Sequence, residues 1–447
     1  MKRIACAALS GMVLCFFLGA GLPLCAQAAS QAVGKNAAEQ DDRLQFVLLI
    51  SRHGVRSPTG KPEKLNQYSQ QPWPAWSVPA GYLTEHGARL MTLFGSYDRD
   101  LLAAEGLLKP AGCEDAAHIR IVADSDQRTR ETGKALAAGL APGCAIAVKA
   151  LPEGTADPLF HSLAAGVGKP DKLLATAAVS GRIGANPPGL AEAYRPQLEA
   201  LEEVLRGCKL GTDCQGAGKP APQSLFDIPS SIAPGQGDHL VELRTPLGTA
   251  STMAENLLLE YTEGMEAANV GWGRVDLHTL RELLELHTAN EDIAQRTDYI
   301  ARVQSSNLLS HALMSIEQAV TAHPVTGALT QPGDRLLILV GHDTNLANIS
   351  GALGLSWLID GRRDDTPPGG ALVFELWKRR GTGEPFVKTF YMAQTLEQMR
   401  NATPLSIESP PERVPVFVPG CSRADGSCSW KEFQRVVQAA ASSAFIQ

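Results

Sequence analysis

The sequence is poor in charged and aromatic residues, and it lacks a long apolar run after its N-terminal segment. Charged residues make up 19% of the 447 residues, and the 40 basic side chains are outnumbered by 47 acidic ones. The net charge of −7 gives no reason to expect nucleic acid or an anionic membrane surface as the main partner. Yet 44% of the residues are hydrophobic, which excludes a disordered chain. Because single cores stop growing at roughly 250–300 residues, about two domains are expected.

The N-terminal segment is typical of a secretory signal peptide. Two basic residues, Lys2 and Arg3, precede an apolar run over residues 5–24, and small residues follow up to Ala28. We predict cleavage after Ala28, so that residues 1–28 are a signal peptide and the mature protein is periplasmic or secreted. An uncleaved anchor is the weaker alternative because glycine and proline interrupt the run. No later segment is apolar for long enough to span a bilayer, so we expect no membrane association after cleavage.

Cysteine pairs of the CxxC type are also lacking, although the chain has nine cysteines. This absence and the lack of a neighbouring histidine cluster argue against a zinc site or a catalytic thiol, and we expect no metal and no cofactor. Three cysteines lie in the predicted signal peptide, which leaves an even number for an oxidising compartment. We therefore predict three disulfides, although sequence alone leaves their connectivity open. The pairs that spacing favours are Cys113 with Cys144, Cys208 with Cys214, and Cys421 with Cys428.

Three short apolar runs end abruptly in charged, reactive residues. The first run is continuous, which is typical of a buried strand, and the other two are strand candidates. In an open α/β sheet, ligands bind just beyond the carboxyl ends of the strands, so we expect the three segments to converge on one site. The runs cover residues 46–50, 118–123 and 336–340, and they end at Arg52-His53-Gly54, Asp124-Ser125-Asp126 and Gly341-His342-Asp343.

The stretch between the second and third runs has a different pattern of apolar residues. Strand-like runs disappear there and helical patterns dominate, and a further helix is expected over residues 293–321 before strands return near residues 371–391. The predicted fold class is α/β, with a mixed sheet flanked by helices and a smaller inserted all-α domain. We place the α/β catalytic domain at residues 29–156 and 290–447, and an α-helical domain that covers the cleft at residues 157–289.

The segment after the first run has the residues to transfer a phosphoryl group. Arg52 and Arg56 flank His53, and guanidinium forks match the oxygens of a phosphate. Nearby positive charge lowers the pKa of His53, which keeps the ring neutral and nucleophilic in mild acid. His53 can then attack phosphorus and split transfer to water into two displacements through a phosphohistidine. This chemistry requires no metal if arginines neutralise the transition state.

The other two strand ends offer further groups for the same reaction. Arg128 and His342 are natural donors to a phosphate, and Asp343 can protonate the alkoxide that leaves. Each has a structural alternative, because Asp343 can also cap the following helix and Arg128 can pair with Glu131 on a helix surface. Capping and catalysis are compatible at Asp343.

The strings Ser51–Pro58 and Gly341–Asn345 resemble the signature pair of the histidine acid phosphatase family, and among its members the chain is most similar to the bacterial periplasmic phytases. This resemblance implies a phosphoglycerate-mutase-like α/β core with a smaller α domain and a site in the cleft between them. It also implies a nucleophile, a proton donor and a phosphate pocket, which are His53, Asp343, and the set Arg52, Arg56, Arg128 and His342.

The choice of substrate depends on fewer residues. Thr344 resembles the phytase form of the second signature, where glucose-1-phosphatases usually have serine. Phytases of this branch place a lysine directly after the threonine that follows the first signature, whereas Thr59 is followed here by Gly60 and then Lys61. They also place an acidic residue shortly before a Gly-Trp-Gly-Arg string, where this chain has Glu266. We expect Thr59, Lys61, Glu266 and Thr344 to line the substrate pocket.

The resulting hypothesis is a secreted, monomeric acid phosphomonoesterase whose substrate is myo-inositol hexakisphosphate. Two alternatives from the same family are a glucose-1-phosphatase and a broad-specificity acid phosphatase. An alternative of another class is a protein that binds inositol phosphates without chemistry. In each case the expected partner is a phosphorylated small molecule.

Overall fold

The structure is a computed structural model and describes residues 42–209 and 222–447. Its strands are β1 (Arg43–Arg52), β2 (Ile119–Ala123), β3 (Val148–Lys149), β4 (Ser231–Pro234), β5 (Val241–Arg244), β6 (Leu336–Gly341), β7 (Leu358–Ile359), β8 (Arg362–Arg363), β9 (Ala371–Lys378), β10 (Pro385–Ala393), β11 (Glu412–Pro415) and β12 (Ser427–Ser429). Its α-helices are α1 (Pro62–Leu65), α2 (Glu85–Ala104), α3 (Gln127–Leu140), α4 (Lys172–Arg182), α5 (Gly189–Ala193), α6 (Arg195–Arg206), α7 (Pro246–Thr262), α8 (Leu277–Ala294), α9 (Asp298–Thr321), α10 (Asp343–Leu353), α11 (Leu396–Asn401) and α12 (Trp430–Ala440).

The three apolar runs form neighbouring strands of one mixed sheet. Its strand order is β11-β10-β9-β1-β6-β2-β3, and β12 pairs with β10. β1, β6 and β2 run parallel to one another, whereas β9 is antiparallel to β1 and to β10. The first and third runs lack polar alternation because both faces of β1 and β6 are covered. The predicted fold class, a mixed sheet flanked by helices, is confirmed.

Alternate residues of β1 face opposite sides of the sheet, as the two-residue period of a strand requires. Phe46 and Leu48 pack into a buried cluster with residues of α9, α10 and α12. Val47 and Leu49 pack into a second cluster with residues of α2 and α3. The sheet therefore has a hydrophobic core on each face, and its strand ends are held in place from both sides.

Helices α4 to α8 contribute most of a third apolar cluster. Val179, Leu201, Leu257 and Leu283 come from four of these helices and are buried in it. The segment also contains the β4–β5 hairpin, so the prediction that strands disappear there was wrong. Alternate residues of this hairpin are exposed, and such short strands leave no apolar run in the sequence. The exact domain boundaries stay a prediction.

The helix predicted over residues 293–321 includes all of α9, but it begins five residues too early, at the end of α8. α8 ends at Ala294 and α9 begins at Asp298, because Thr297 adopts an extended backbone conformation. The Thr297 hydroxyl donates to the Ile293 carbonyl at 2.6 Å, which holds the turn between the two helices. Within the described ranges, no helix has the length and apolarity that crossing a membrane requires.

Two disulfides lie in the described part of the chain. One joins Cys113 to Cys144, across 31 residues, and the other joins Cys421 to Cys428, across 7 residues. The remaining predicted pair includes Cys214, which lies outside the described residues. The first disulfide ties the loop after α3 to the segment that precedes β2.

Removal of the long-range disulfide should destabilise the protein measurably. Replacing Cys113 and Cys144 together by alanine is expected to lower the free energy of unfolding by about 3–4 kcal/mol, because the closed loop of 31 residues restricts the unfolded chain. Cys113 is exposed and Cys144 is half-buried, so alanine leaves no core cavity. Urea unfolding under oxidising conditions measures the loss. The difference from the wild type should vanish when both proteins are fully reduced, and a variant as stable as the oxidised wild type would contradict the prediction.

Candidate active site

The ends of β1, β6 and β2 lie side by side, and the reactive residues that follow them come together. The imidazole rings of His53 and His342 have centroids 5.6 Å apart in an edge-to-face arrangement. Arg128, in the first turn of α3, brings a guanidinium nitrogen to 3.4 Å from Nδ1 of His342. Parallel neighbouring strands explain this convergence, since their carboxyl ends share one edge of the sheet.

His53 is held so that one particular ring nitrogen is free. Its backbone N–H donates to the Gly341 carbonyl and its carbonyl accepts from the Gly369 N–H, both at 2.9 Å. Nδ1 lies 2.8 Å from the Gly54 carbonyl, and because a carbonyl only accepts, Nδ1 carries the proton. The lone pair of the neutral ring is then on Nε2. Burial and the positive charges of Arg56 and Arg52 hold the pKa of His53 well below its ordinary value.

Gly54 allows the loop that follows β1 to pack directly on α2. A Cβ at this position would lie 2.8 Å from Cγ of Met91 and 3.2 Å from the Gly87 carbonyl oxygen. The Gly54 N–H donates to Oγ1 of Thr132 on α3 at 2.9 Å. A larger residue would push the loop off these two helices and displace the imidazole beside it.

Arg52 is fully buried and is fixed through both terminal nitrogens. One nitrogen donates to the Thr366 carbonyl at 2.6 Å, and the other contacts the carboxylates of Glu255 and, at 3.0 Å, Asp343. Burial lowers the pKa of Arg52, but the carboxylates of Asp343 and Glu255 outweigh it and raise the pKa above its ordinary value. Burial also lowers the pKa of Arg56, to about 10. Both guanidiniums are therefore charged in acid.

Glu255 is a site residue that sequence reasoning missed. It lies on α7, is only 6% exposed, and reaches Arg56 at 3.7 Å as well as Arg52. Its other carboxylate oxygen is 3.7 Å from Nε2 of His287 on α8. The one signal in the sequence is a carboxylate inside the apolar run 253–259, where a buried charge requires a charged partner.

Asp124, at the end of β2, joins two imidazoles. Its Oδ2 accepts from Nε2 of His342 at 2.7 Å and from Nε2 of His161 at 3.0 Å. Burial alone would raise the pKa of Asp124, but the hydrogen bonds from His161 and His342 hold it well below its ordinary value. Nε2 of His342 donates its proton to Asp124, and Nδ1 of the same ring faces Arg128. Neither Asp124 nor His161 was assigned a role from sequence.

Asp343 opens helix α10 beside the arginines. One carboxylate oxygen accepts from the Thr344 N–H at 2.8 Å, and the other pairs with Arg52. The Asn345 side chain, rather than Asp343, accepts from the His342 N–H at the start of the helix. Burial alone would raise the pKa of Asp343, but the positive charge of Arg52 and its neighbours holds it well below its ordinary value. Without substrate, Asp343 is therefore ionised.

The four residues predicted to line the substrate pocket are scattered. Thr59 is near the arginines, since a Cβ on Gly81 would lie 3.2 Å from Thr59 Cγ2 and 3.6 Å from a guanidinium nitrogen of Arg128. Thr344 directly follows Asp343, and Lys61 is exposed where α1 begins. Glu266 is exposed in the turn after α7, and the acid that contacts the arginines is Glu255. The roles of these four residues stay predictions.

The chain is similar to known phosphatases along most of its length. Residues 43–182 and 246–392 match the profile of the histidine phosphatase superfamily (branch 2). Phytase AppA of Escherichia coli (strain K12) is 37% identical over 435 residues, which cover 96% of this chain and 98% of that protein. A glucose-1-phosphatase of Providencia rettgeri is 29% identical over 434 residues, which cover 93% of this chain and 97% of that protein. The structure of Hafnia alvei phytase in complex with myo-inositol hexakis sulphate matches with a TM-score of 0.79 and 34% identity, over 91% of this chain and 99% of that one.

Proposed function

Because the chain belongs to the histidine phosphatase superfamily (branch 2), we propose that it is an acid phosphomonoesterase that acts through phospho-His53, with myo-inositol hexakisphosphate as its preferred substrate. The resemblance inferred from the two signature strings is confirmed. The observation that carries the mechanism is a buried, neutral imidazole with Nε2 free, set among arginines that lower its pKa. Such a group is a nucleophile at acidic pH.

In the first step, the phosphoryl oxygens of the substrate bind to Arg52, Arg56 and Arg128, which disperse their charge. Nε2 of His53 attacks phosphorus, so that a P–N bond forms and the P–O bond to the leaving alkoxide breaks. The alkoxide takes a proton from Asp343. In the second step, the Asp343 carboxylate accepts a proton from water, the water oxygen attacks phosphorus, and the P–N bond breaks to release inorganic phosphate.

Asp343 becomes protonated when the substrate binds. The carboxylate is ionised in the free protein because Arg52 pairs with it. A phosphate dianion that binds to Arg52 brings negative charge next to Asp343 and competes for the guanidinium. Both effects raise the pKa of Asp343, so the carboxyl takes up a proton in acid and can serve as the general acid.

We favour phytate over other phosphomonoesters as the substrate for two reasons, which are the sequence identity to known phytases and the residues predicted to line the pocket. The relatives include phytases at 37% and 34% identity, whereas the glucose-1-phosphatase is 29% identical. Thr59, Lys61 and Thr344 are the candidates for contacts to the remaining phosphates of the ring. The signal-peptide pattern supports a periplasmic or secreted location, and the proposed acting species is a monomer.

A substrate panel tests this proposal. Purified protein beginning at residue 29 is assayed with phytate, glucose 1-phosphate and p-nitrophenyl phosphate, and kcat/KM is compared across acidic pH. We expect kcat/KM for phytate to exceed that for glucose 1-phosphate by at least about tenfold. The reverse order would identify a glucose-1-phosphatase. Phytate binding without turnover of any substrate would overturn the enzymatic proposal and leave a binding protein.

The lowered pKa of His53 predicts where activity declines in acid. Protonated His53 cannot attack phosphorus. Because its pKa lies below the ordinary histidine value of about 6.5, the midpoint of the decline of kcat/KM in acid should lie well below that pH. The variant Arg56→Gln removes a positive charge and should move the midpoint to higher pH, whereas Arg56→Lys should leave it near its wild-type position. A wild-type midpoint at or above pH of about 6.5 would contradict the prediction.

A further inference from the structure

A second cluster of ligand-type side chains lies around Nε2 of His342. It consists of Asp124, Asp126, His161 and His342, each of which offers one nitrogen or oxygen atom, and these four atoms all lie within 4.8 Å of one another. We propose that this cluster is a binding site for a divalent transition metal ion of the Zn²⁺ type. The proposal concerns metal binding alone and does not depend on which phosphomonoester the protein hydrolyses.

The spacing of the four atoms is close to that of a tetrahedral zinc site. Ligands about 2.0–2.2 Å from zinc in a tetrahedron are about 3.3–3.6 Å from one another. Here Oδ2 of Asp124 is 2.7 Å from Nε2 of His342 and 3.0 Å from Nε2 of His161. Oδ2 of Asp126 is 3.7 Å from Nε2 of His342. The remaining distances between the four atoms are at most 4.8 Å, so shifts of up to about 1 Å would place all four atoms around one ion.

The chemistry of the ligands also fits. Two imidazole nitrogens and two carboxylate oxygens are ligands that Zn²⁺ commonly takes, and the two carboxylates balance its charge. The second oxygen of the fully buried Asp124 has no hydrogen-bond partner among the described residues, so it can join the coordination. Arg128 opposes binding because it pairs with Asp126 at 2.6 Å, and an ion must displace it from that oxygen.

An ion can reach the cluster from solvent. The side chain of His161 is 41% exposed and that of Asp126 is 34% exposed, so the cluster is open on one side. His342 would bind the ion through Nε2, whereas its Nδ1 faces Arg128. The proposed site thus shares one imidazole with the phosphate pocket but uses the opposite nitrogen.

Cobalt binding provides a direct test, because tetrahedral Co²⁺ absorbs visible light far more strongly than hydrated Co²⁺. Tag-free protein, freed of metal by a chelator, is titrated with Co²⁺ at about pH 7.5, where imidazoles are deprotonated. We expect one intense band that saturates at one ion per chain and disappears when Zn²⁺ is added. No such band, with no heat of Zn²⁺ binding in calorimetry, would overturn the proposal.

Variants assign the site to these residues. His161→Asn should weaken Co²⁺ binding by about 100-fold or more, since it removes one of four ligands. His239→Asn is the matched control, because His239 is exposed and separate from the cluster, and its Co²⁺ affinity should equal that of the wild type. Thermal unfolding checks that each variant is folded, and Asp126→Asn provides a second ligand deletion. An unchanged Co²⁺ spectrum and affinity in both ligand variants would overturn the assignment.

Discussion

Replacing His53 with alanine should lower kcat by roughly 10⁴-fold or more on every phosphomonoester, because the variant has no atom at the position of Nε2 to receive the phosphoryl group. The arginines remain, so the variant should still bind phytate. Steady-state assays with phytate and p-nitrophenyl phosphate measure the loss, and calorimetric titration with phytate measures binding. Loss of turnover with binding retained is the expected pattern.

His239→Ala is the matched control for the nucleophile, because it removes an exposed imidazole and should leave kcat unchanged. Thermal unfolding of the His53→Ala protein separates loss of chemistry from loss of fold. We expect the His53→Ala protein to stay folded. The ring of His53 is neutral, so its removal leaves no buried charge without a partner. A folded His53→Ala variant that keeps more than a few per cent of wild-type turnover would exclude His53 as the nucleophile.

Asp343→Asn should lose activity in proportion to how poor the leaving group is. An inositol alkoxide must be protonated as it departs, so kcat on phytate should fall by about 10²–10⁴-fold. The p-nitrophenolate ion is stable without a proton, so kcat on p-nitrophenyl phosphate should fall far less. The two substrates assayed on one variant control for any general effect of the substitution on the phosphate pocket.

A series of substituted phenyl phosphates sharpens this test. In the wild type, the rate of the first step should depend weakly on the pKa of the leaving phenol, because Asp343 supplies the proton. In Asp343→Asn the dependence should become steep. If the rate depends equally steeply on the pKa of the phenol in the two proteins, Asp343 has no role as a general acid and acts only on the charge of Arg52.

The parts of the site that sequence could predict are those carried by local pattern. Continuous apolar runs identify buried strands, and charged residues at their ends identify the edge where a ligand binds. This reasoning reaches His53, Arg128 and His342, which the structure brings together at the ends of three parallel strands. The parallel order of the strands makes the convergence a consequence of the fold.

The parts that sequence could not predict depend on contacts between distant segments. Glu255 is more than two hundred positions from Arg52, and it reaches the arginine only because α7 packs beside the end of the sheet. Glu266, which the sequence predicts to line the substrate pocket, is exposed in the turn after α7, and its role stays a prediction. His161 likewise becomes informative only when Asp124 is placed next to it.

Direct detection of the phosphoenzyme tests the central claim. The wild-type protein is mixed with ³²P-labelled substrate, quenched within milliseconds in alkali, because phosphohistidine is labile in acid, and digested for mass spectrometry. The account predicts phosphate on the peptide that contains His53, in an amount that reaches a fraction of one per chain and disappears in His53→Ala. Turnover by the wild-type protein without any labelled histidine would contradict the account. Label on a residue other than His53 would contradict it as well.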